Sequence, residues 1–347
     1  MKALKYPTVR EALLYKNTDS ESVMCELCNR KCIIRDGQMG FCKTRINREG
    51  KLYTLVYGDI NALSSRPIEI KPFFHFYPGS TSLTFSTWSC NFTCPWCQNY
   101  HLSKKAPNPK KANYISPENI VDLALKMGDE GVCVSFTEPT LLFEYSLDVF
   151  KLAKKHGLYT SYVSNGYITE KALVLLKNAG MDAINIDIKG DSKTYKKYCG
   201  NIKAKFVWNT AKKALDMGIH VEIVNLIVTG VNDNLKTIKN IVKLHLKNLG
   251  PEVPIHFTRY FPAFKFNEPP TKIEVLEKAY EIAKDFGILY PYLGNVPGHK
   301  FENTYCPKCG ELLIKRRNFK ILRWKLKNFK CPKCKFPIKI TGEYVAK

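Results

Sequence analysis

Cys90, Cys94 and Cys97 stand in the run Cys90-Asn91-Phe92-Thr93-Cys94-Pro95-Trp96-Cys97-Gln98-Asn99, directly after a predicted strand from Leu83 to Trp88. Three thiolates at this C-x3-C-x2-C spacing can hold three irons of a [4Fe–4S] cube and leave the fourth iron without a protein ligand. An iron with an open position can do chemistry, whereas a structural zinc or structural cluster is normally closed by a fourth ligand close by. His101 is the nearby residue able to close the site. The spacing, and the place at the C-terminal end of a strand, favour the open cluster.

Eight of the other ten cysteines fall into two further groups. Cys25, Cys28, Cys32 and Cys42 have the reach of a four-thiolate site, with Gly37 and Gly40 turning the chain so that Cys42 meets the others. Zinc and an auxiliary [4Fe–4S] cluster both suit that spacing. Cys306-Pro307-Lys308-Cys309 and Cys331-Pro332-Lys333-Cys334 form two C-P-x-C knuckles, the pattern of a zinc-ribbon or rubredoxin-like site that takes zinc or iron. Cys133 and Cys199 are left over. Buried packing is the ordinary role of such thiols, and Cys199, which follows a charged strand, is the better candidate for a catalytic one.

The elements that must position these groups repeat from residue 82 onward. Predicted strands at 82–88, 130–136, 158–164, 182–188, 219–228, 254–259 and 288–293 alternate with amphipathic helices at 117–129, 142–156, 169–179, 206–217, 233–247 and 271–286. Helix starts are expected at Ser116, Thr169, Asp233 and Pro270-Thr271, and helix ends at Gly131, Gly157, Gly180, Gly218 and Gly287. Six strand–helix units joined by right-handed crossovers imply an α/β fold, a partial (βα)6 TIM-like barrel with functional residues at strand C-termini. A doubly wound sheet would place a glycine-rich phosphate turn after its first strand, where this chain has cysteines. The expected domains are a Cys-rich N-terminal extension (1–80), the barrel (81–298) and a C-terminal four-Cys module (299–347). Within the extension, Thr8 to Asn17 reads as a short amphipathic helix, Leu52 to Tyr57 as a β-rich run and Gly58 to Ser65 as a polar loop.

Several strand ends carry polar groups. Glu138, in Phe136-Thr137-Glu138-Pro139, can accept a hydrogen bond from an ammonium group. Ser164-Asn165-Gly166 has the composition of a tight turn. Alternation along Ile184-Asn185-Ile186-Asp187-Ile188-Lys189 sends Asp187 and Lys189 to one face and the isoleucines to the other. Such a pair inside a barrel costs desolvation and suits a charged ligand. Glu222, in an apolar strand, needs a partner or a ligand. His256 lies on the next strand and His75 in an aromatic segment before the barrel; packing is the ordinary role of each.

The cysteine run resembles the cluster motif of radical S-adenosylmethionine (radical SAM) enzymes. In that family SAM caps the open iron, and its reductive cleavage releases a 5′-deoxyadenosyl radical that abstracts hydrogen from a substrate. Further strings, Pro67-Ile68-Glu69-Ile70-Lys71-Pro72, Phe136-Thr137-Glu138-Pro139-Thr140 and His256-Phe257-Thr258-Arg259-Tyr260-Phe261-Pro262, extend the resemblance to the radical SAM member of the AmmeMemoRadiSam group, itself similar to pyruvate formate-lyase-activating enzymes. The resemblance implies a [4Fe–4S] cluster and SAM as cofactors. It also implies Glu138 at the SAM amino group, Ser164 and Asn165 in the activase-like turn, Lys189 with Asp187 at the SAM carboxylate, and His256 beside SAM. Glycyl-radical-enzyme activation is the alternative reaction.

The chain of 347 residues carries 54 Lys and Arg against 31 Asp and Glu, a net charge of +23. That excess suits a polyanionic partner such as RNA, and twelve basic against two acidic residues from Glu311 onward concentrate it. An RNA-modifying or RNA-binding metalloprotein is therefore a further alternative. With glutamine only at positions 38 and 98, adaptation to heat explains part of the same excess. No run approaches the length of a membrane span, and the stretch Met1 to Pro7 has no long apolar segment, so a cytoplasmic protein is expected. Its expected partners are a low-potential electron donor and an unidentified substrate, either protein or polyanion.

Overall fold

The computed structural model describes residues 5–346, so the first four residues of the stretch read for a leader lie outside the described residues. The seven predicted barrel strands are present, from Thr81–Ser86 to Pro291–Gly294, and strand order in the sheet follows chain order. The six expected helices separate them, with two short ones, Tyr100–Ser103 and Ser192–Tyr198, added, giving an α/β partial barrel with a parallel sheet. The Ser116 side chain accepts from Asn119 N–H and Thr169 from Ala172 N–H, so both predicted caps are in place. Three boundaries shift: Asn234 rather than Asp233 caps Leu235–Leu249, Lys272 rather than Pro270-Thr271 precedes Ile273–Asp285, and Gly128 (φ +68°) rather than Gly131 ends the helix Pro117–Lys126. Gly131 instead opens a strand, where a Cβ would sit 2.1 Å from the Tyr159 ring. No helix of the described residues is long and apolar enough to cross a membrane.

The chain divides into two compact units, one of residues up to Arg66 with Ser82–Ile184, the other of Pro67–Thr81 with residues from Asn185 onward. The first unit begins with two small antiparallel sheets. In one, Arg10–Glu11, Lys51–Thr54 and Arg45–Arg48 pair; in the other, Tyr15–Asn17, Ser22–Cys25 and Ile33–Arg35. The helix expected over Thr8 to Asn17 is thus two short strands. Leu13, one of the two leucines that suggested an apolar helical face, is 60% exposed, while Val9 and Ala12 are buried and Ala12 N–H donates to Leu52 O at 2.8 Å. The polar loop expected at Gly58 to Ser65 contains the start of a strand, Ala62–Pro67, whose half-buried serines show no alternation.

The second unit holds the strands His220–Ile227, Ile255–Arg259 and Pro291–Gly294 and an antiparallel sheet of Thr304–Tyr305, Leu312–Arg317 and Lys320–Trp324. The C-terminal tail, expected as a separate module, shares its core with the barrel. Leu313, Ile314, Leu326 and Ile338 pack in one cluster with Phe74, Tyr290 and Tyr292. Arg316 is buried there, donating to Thr304 Oγ1 at 2.7 Å and Phe74 O at 3.0 Å.

Candidate active site

The strand Thr81–Ser86 delivers the chain to Ser89, whose φ of +74° lies in the left-handed region and turns the backbone into the cysteine loop. Ser89 Oγ donates to Cys42 O at 2.6 Å. Phe92 packs edge-on against Tyr167 at 5.6 Å, and Lys104 Nζ donates to Phe92 O at 3.1 Å, which pins the loop's outer limb. Trp96 is buried, Cys94 is 8% exposed, and Cys90 and Cys97 are partly open. Phe92 N–H points to Cys90 Sγ at 3.3 Å, and Ser103 Oγ lies 3.1 Å from Cys97 Sγ. Backbone and hydroxyl groups so placed support thiolate sulfur. Burial, followed by the nearby Glu138 carboxylate, pushes the Cys90 thiol up to about 12, a proton that binding to a metal would displace. His101 is exposed on the short helix Tyr100–Ser103.

The residues present fit a cluster at this loop. A single tetrahedral ion with metal–sulfur bonds of ~2.3 Å holds its sulfurs about 3.8 Å apart. Among the described residues, only Cys306, Cys309, Cys331 and Cys334 bring such donor atoms within 4.8 Å of one another, so the central thiols are spread more widely than one ion requires. The C-terminal four match the single-ion spacing, with Cys306 and Cys334 sulfurs 3.4 Å apart and those of Cys309 and Cys331 3.6 Å apart. That group can hold one metal ion.

The next two strand ends tie into the loop. Glu138 is 3% exposed and accepts hydrogen bonds at both carboxylate oxygens. Its Oε1 accepts from Thr140 N–H (3.1 Å), Thr140 Oγ1 (2.5 Å) and Ser164 Oγ (2.8 Å), and its Oε2 from Asn165 N–H (2.9 Å). Burial pushes the Glu138 carboxyl up against these bonds. Asn165 Nδ2 donates to Asn91 Oδ1 at 2.7 Å and lies 3.8 Å from Cys90 Sγ. Cys90, Asn91, Glu138, Ser164 and Asn165 thus form one continuous polar network. Phe136 stands beside it with φ +63°, a strained conformation for a side chain with a Cβ, held by Asn99 Nδ2 donating to Phe136 O at 2.6 Å.

In the second unit, Lys189 Nζ and Asp187 Oδ2 pair at 2.9 Å with 15% and 28% of their side chains exposed, so the pair is reachable by a ligand. The isoleucines at 184, 186 and 188 are buried, as alternation requires. Cys199 is wholly buried at the end of the helix Ser192–Tyr198, the setting of a packing thiol rather than of one that meets substrate.

Glu222 has its partners within the fold. Its Oε2 accepts from His256 Nε2 at 2.7 Å, and its Oε1 from His75 N–H at 2.7 Å and His220 Nε2 at 3.1 Å. Burial pushes this carboxyl up, but the bonds and charges of His220 and His256 outweigh it and hold Glu222 well below the usual carboxylate range. His256 is 1% exposed and stacked on Tyr292 at 5.2 Å. His256, expected beside SAM, has its Nε2 held by Glu222, which fixes the ring's orientation.

His75 donates from Nδ1 to Lys339 O (2.8 Å) and accepts at Nε2 from Tyr292 OH (2.7 Å), the pattern of a neutral ring. Burial pushes it down to about 4, against about 6.5 in an unfolded chain. A depressed histidine stabilises the fold fully above the unfolded value and loses that contribution as pH falls toward about 4, with a slope near 1.4 kcal/mol per pH unit. Thermal unfolding between pH 7 and pH 4.5 should therefore show a falling midpoint. His75→Gln should start lower at pH 7 and show a shallower fall.

Two contributors were not singled out from the sequence. Asn91 is wholly buried between two cysteine ligands, and its position inside the motif was the available signal. Thr140 follows Glu138-Pro139 as in an N-cap turn, and Glu138 caps the short helix Pro139–Leu142.

The sequence profile of the radical SAM superfamily matches residues 86–245, which include the cysteine loop, Glu138 and the Ser164 turn. The uncharacterized protein MJ0808 of Methanocaldococcus jannaschii is 41% identical over 329 residues, covering 94% of this chain and 98% of its own. MJ1632 of the same organism, provisionally named a glycyl-radical enzyme activating enzyme, is 29% identical over 62% of this chain and 80% of its own. In fold, the chain is similar to a radical SAM methyltransferase from Sphaerobacter thermophilus, with a TM-score of 0.50 at 12% identity over 82% of this chain and 76% of that one. A cysteine loop at the end of the first barrel strand, networked to the next two strand ends, agrees with the profile match: the chain belongs to the radical SAM superfamily and is a radical SAM enzyme.

Proposed function

We propose that this enzyme binds SAM at the Cys90–Cys97 loop and cleaves it reductively to act on a substrate not yet identified, as the radical SAM member of the AmmeMemoRadiSam group. The observation that carries this reading is the hydrogen-bonded chain from Cys90 through Asn91 and Asn165 to Glu138. When bound, the cluster and SAM supply one-electron cleavage of the sulfonium and a 5′-deoxyadenosyl radical for hydrogen abstraction. Cys90, Cys94 and Cys97 would hold three irons. Glu138 offers a buried carboxylate to an ammonium group; since burial disfavours its charge, a cation that arrives there is held strongly. Ser164 and Asn165 fix that carboxylate in one orientation. Lys189, steadied by Asp187, is a partly exposed cation able to pair with a carboxylate. The test is electron paramagnetic resonance of the dithionite-reduced protein. SAM should change the spectrum, and a spectrum indifferent to saturating SAM would remove the reading.

Similarity to MJ1632 supports a second reading, activation of a glycyl-radical enzyme by the same SAM chemistry. A glycyl radical formed on a partner protein would select it. The segment from Glu311 onward supports a polyanionic substrate, because nine of its described Lys and Arg residues, among them Lys315, Arg317, Lys320 and Arg323, are exposed. RNA binding that weakens steeply as salt rises would favour RNA over small substrates.

A further inference from the structure

The first unit contains a small pocket lined by Cys25, Cys28, Cys32, Cys42, Arg45 and Asn91. Three of the cysteines are 7–9% exposed. The knuckle is closed by Cys25 N–H donating to Cys32 O at 2.9 Å and by Lys31, in the left-handed region, donating to Cys28 O at 3.1 Å. Gly40 keeps the wall thin, because a Cβ there would lie 3.1 Å from Ile34 Cδ1 and 3.9 Å from Cys32 Sγ.

Three observations point to what fills this space. The four sulfurs do not all lie within 4.8 Å of one another, whereas the C-terminal four do; one chain therefore displays both a single-ion arrangement and a wider one. One buried donor on the lining, Arg45 Nε, has no acceptor in the protein, and the Asn91 amide, also on the lining, donates toward the Cys28 sulfur. Arg45 is otherwise held by Glu144 in a bidentate pair at 2.7 and 2.8 Å, which fixes its guanidinium at the cavity. A buried donor left unmet is costly, and sulfide and thiolate sulfur are the acceptors that a cluster would bring.

We propose that Cys25, Cys28, Cys32 and Cys42 hold a second [4Fe–4S] cluster, fully ligated by protein and seated directly behind the central cysteine loop. The two sites share walls: Ser89 Oγ donates to Cys42 O at 2.6 Å, Arg30 Nε donates to Asn91 O at 2.6 Å, and Asn91 lines the cavity while standing next to Cys90. With four thiolates it has no open iron, so SAM does not bind to it.

Acid-labile sulfide counts clusters, because a single ion in the C-terminal group brings none. The anaerobically reconstituted full chain should contain about eight sulfides. Cys25→Ser with Cys28→Ser should retain about four, and Cys90→Ala with Cys94→Ala and Cys97→Ala should retain the complementary four with a reduced signal that SAM leaves unchanged. A wild-type content of about four sulfides, all lost with the central trio, would overturn the proposal, as would stoichiometric zinc bound by Cys25 and its partners. Should either variant fail to fold, the wild-type count decides alone. The inference is separable from the proposed SAM chemistry: eight sulfides with no spectral response to SAM would uphold the second cluster and remove the SAM reading.

Discussion

Cys94→Ala is expected to lower 5′-deoxyadenosine release to that of a protein-free control. Three thiolates would hold three irons, so loss of one would leave two anchors for the cluster in a loop whose own contacts, such as Lys104 Nζ to Phe92 O and Arg30 Nε to Asn91 O, do not replace a thiolate ligand. A cluster would then lose its hold at the strand end where Glu138 and Asn165 are organised. The fold should survive, because removing one sulfur from a small side chain costs about 1 kcal/mol. Circular dichroism and the denaturant midpoint should therefore stay near those of the wild type while iron content and turnover fall. That combination separates loss of the cluster from loss of the protein.

Glu222→Ala should show the opposite pattern, a large stability loss whose cause lies away from the cluster. The substitution leaves His75 N–H without its carboxylate acceptor and strips the shared counter-charge from His220 and His256. Removing one member of a buried charged network costs about 3–5 kcal/mol. His256 and Tyr292 are stacked around that carboxylate, and Tyr292 also belongs to the core shared with the C-terminal sheet. The loss should thus appear as a lower denaturant midpoint and as easier proteolysis of the C-terminal segment. Glu222→Gln should recover part of it, since its carbonyl oxygen can still accept from His75 N–H.

The sequence was legible where a short stretch carries its own chemistry or period. The cysteine spacings, the isoleucine alternation at 184, 186 and 188, and the caps at Ser116 and Thr169 depend on neighbours within a few residues, so each could be read locally. The strands Arg10–Glu11 and Tyr15–Asn17 could not, because they are defined by pairing with segments such as Lys51–Thr54 and Ser22–Cys25 rather than by a pattern of their own. The same distance hides the partners of the site. Glu138 is oriented by Ser164, 26 residues away, and Glu222 accepts from His75, 147 residues away. For Glu222 the sequence showed that a partner was needed but not which, and His256, read as a ligand contact, supplied it. The C-terminal tail looked autonomous because its cysteine pairs are self-contained, yet its apolar residues pack on Tyr290 and Tyr292.

The most direct test of the account is product analysis on anaerobic, iron-replete, full-length protein mixed with dithionite and SAM. The account predicts 5′-deoxyadenosine and methionine in equal amounts, neither formed when Cys90, Cys94 and Cys97 are replaced by alanine. Recovery of intact SAM from a protein shown to carry the central cluster, or equal cleavage by the trio variant, would contradict it.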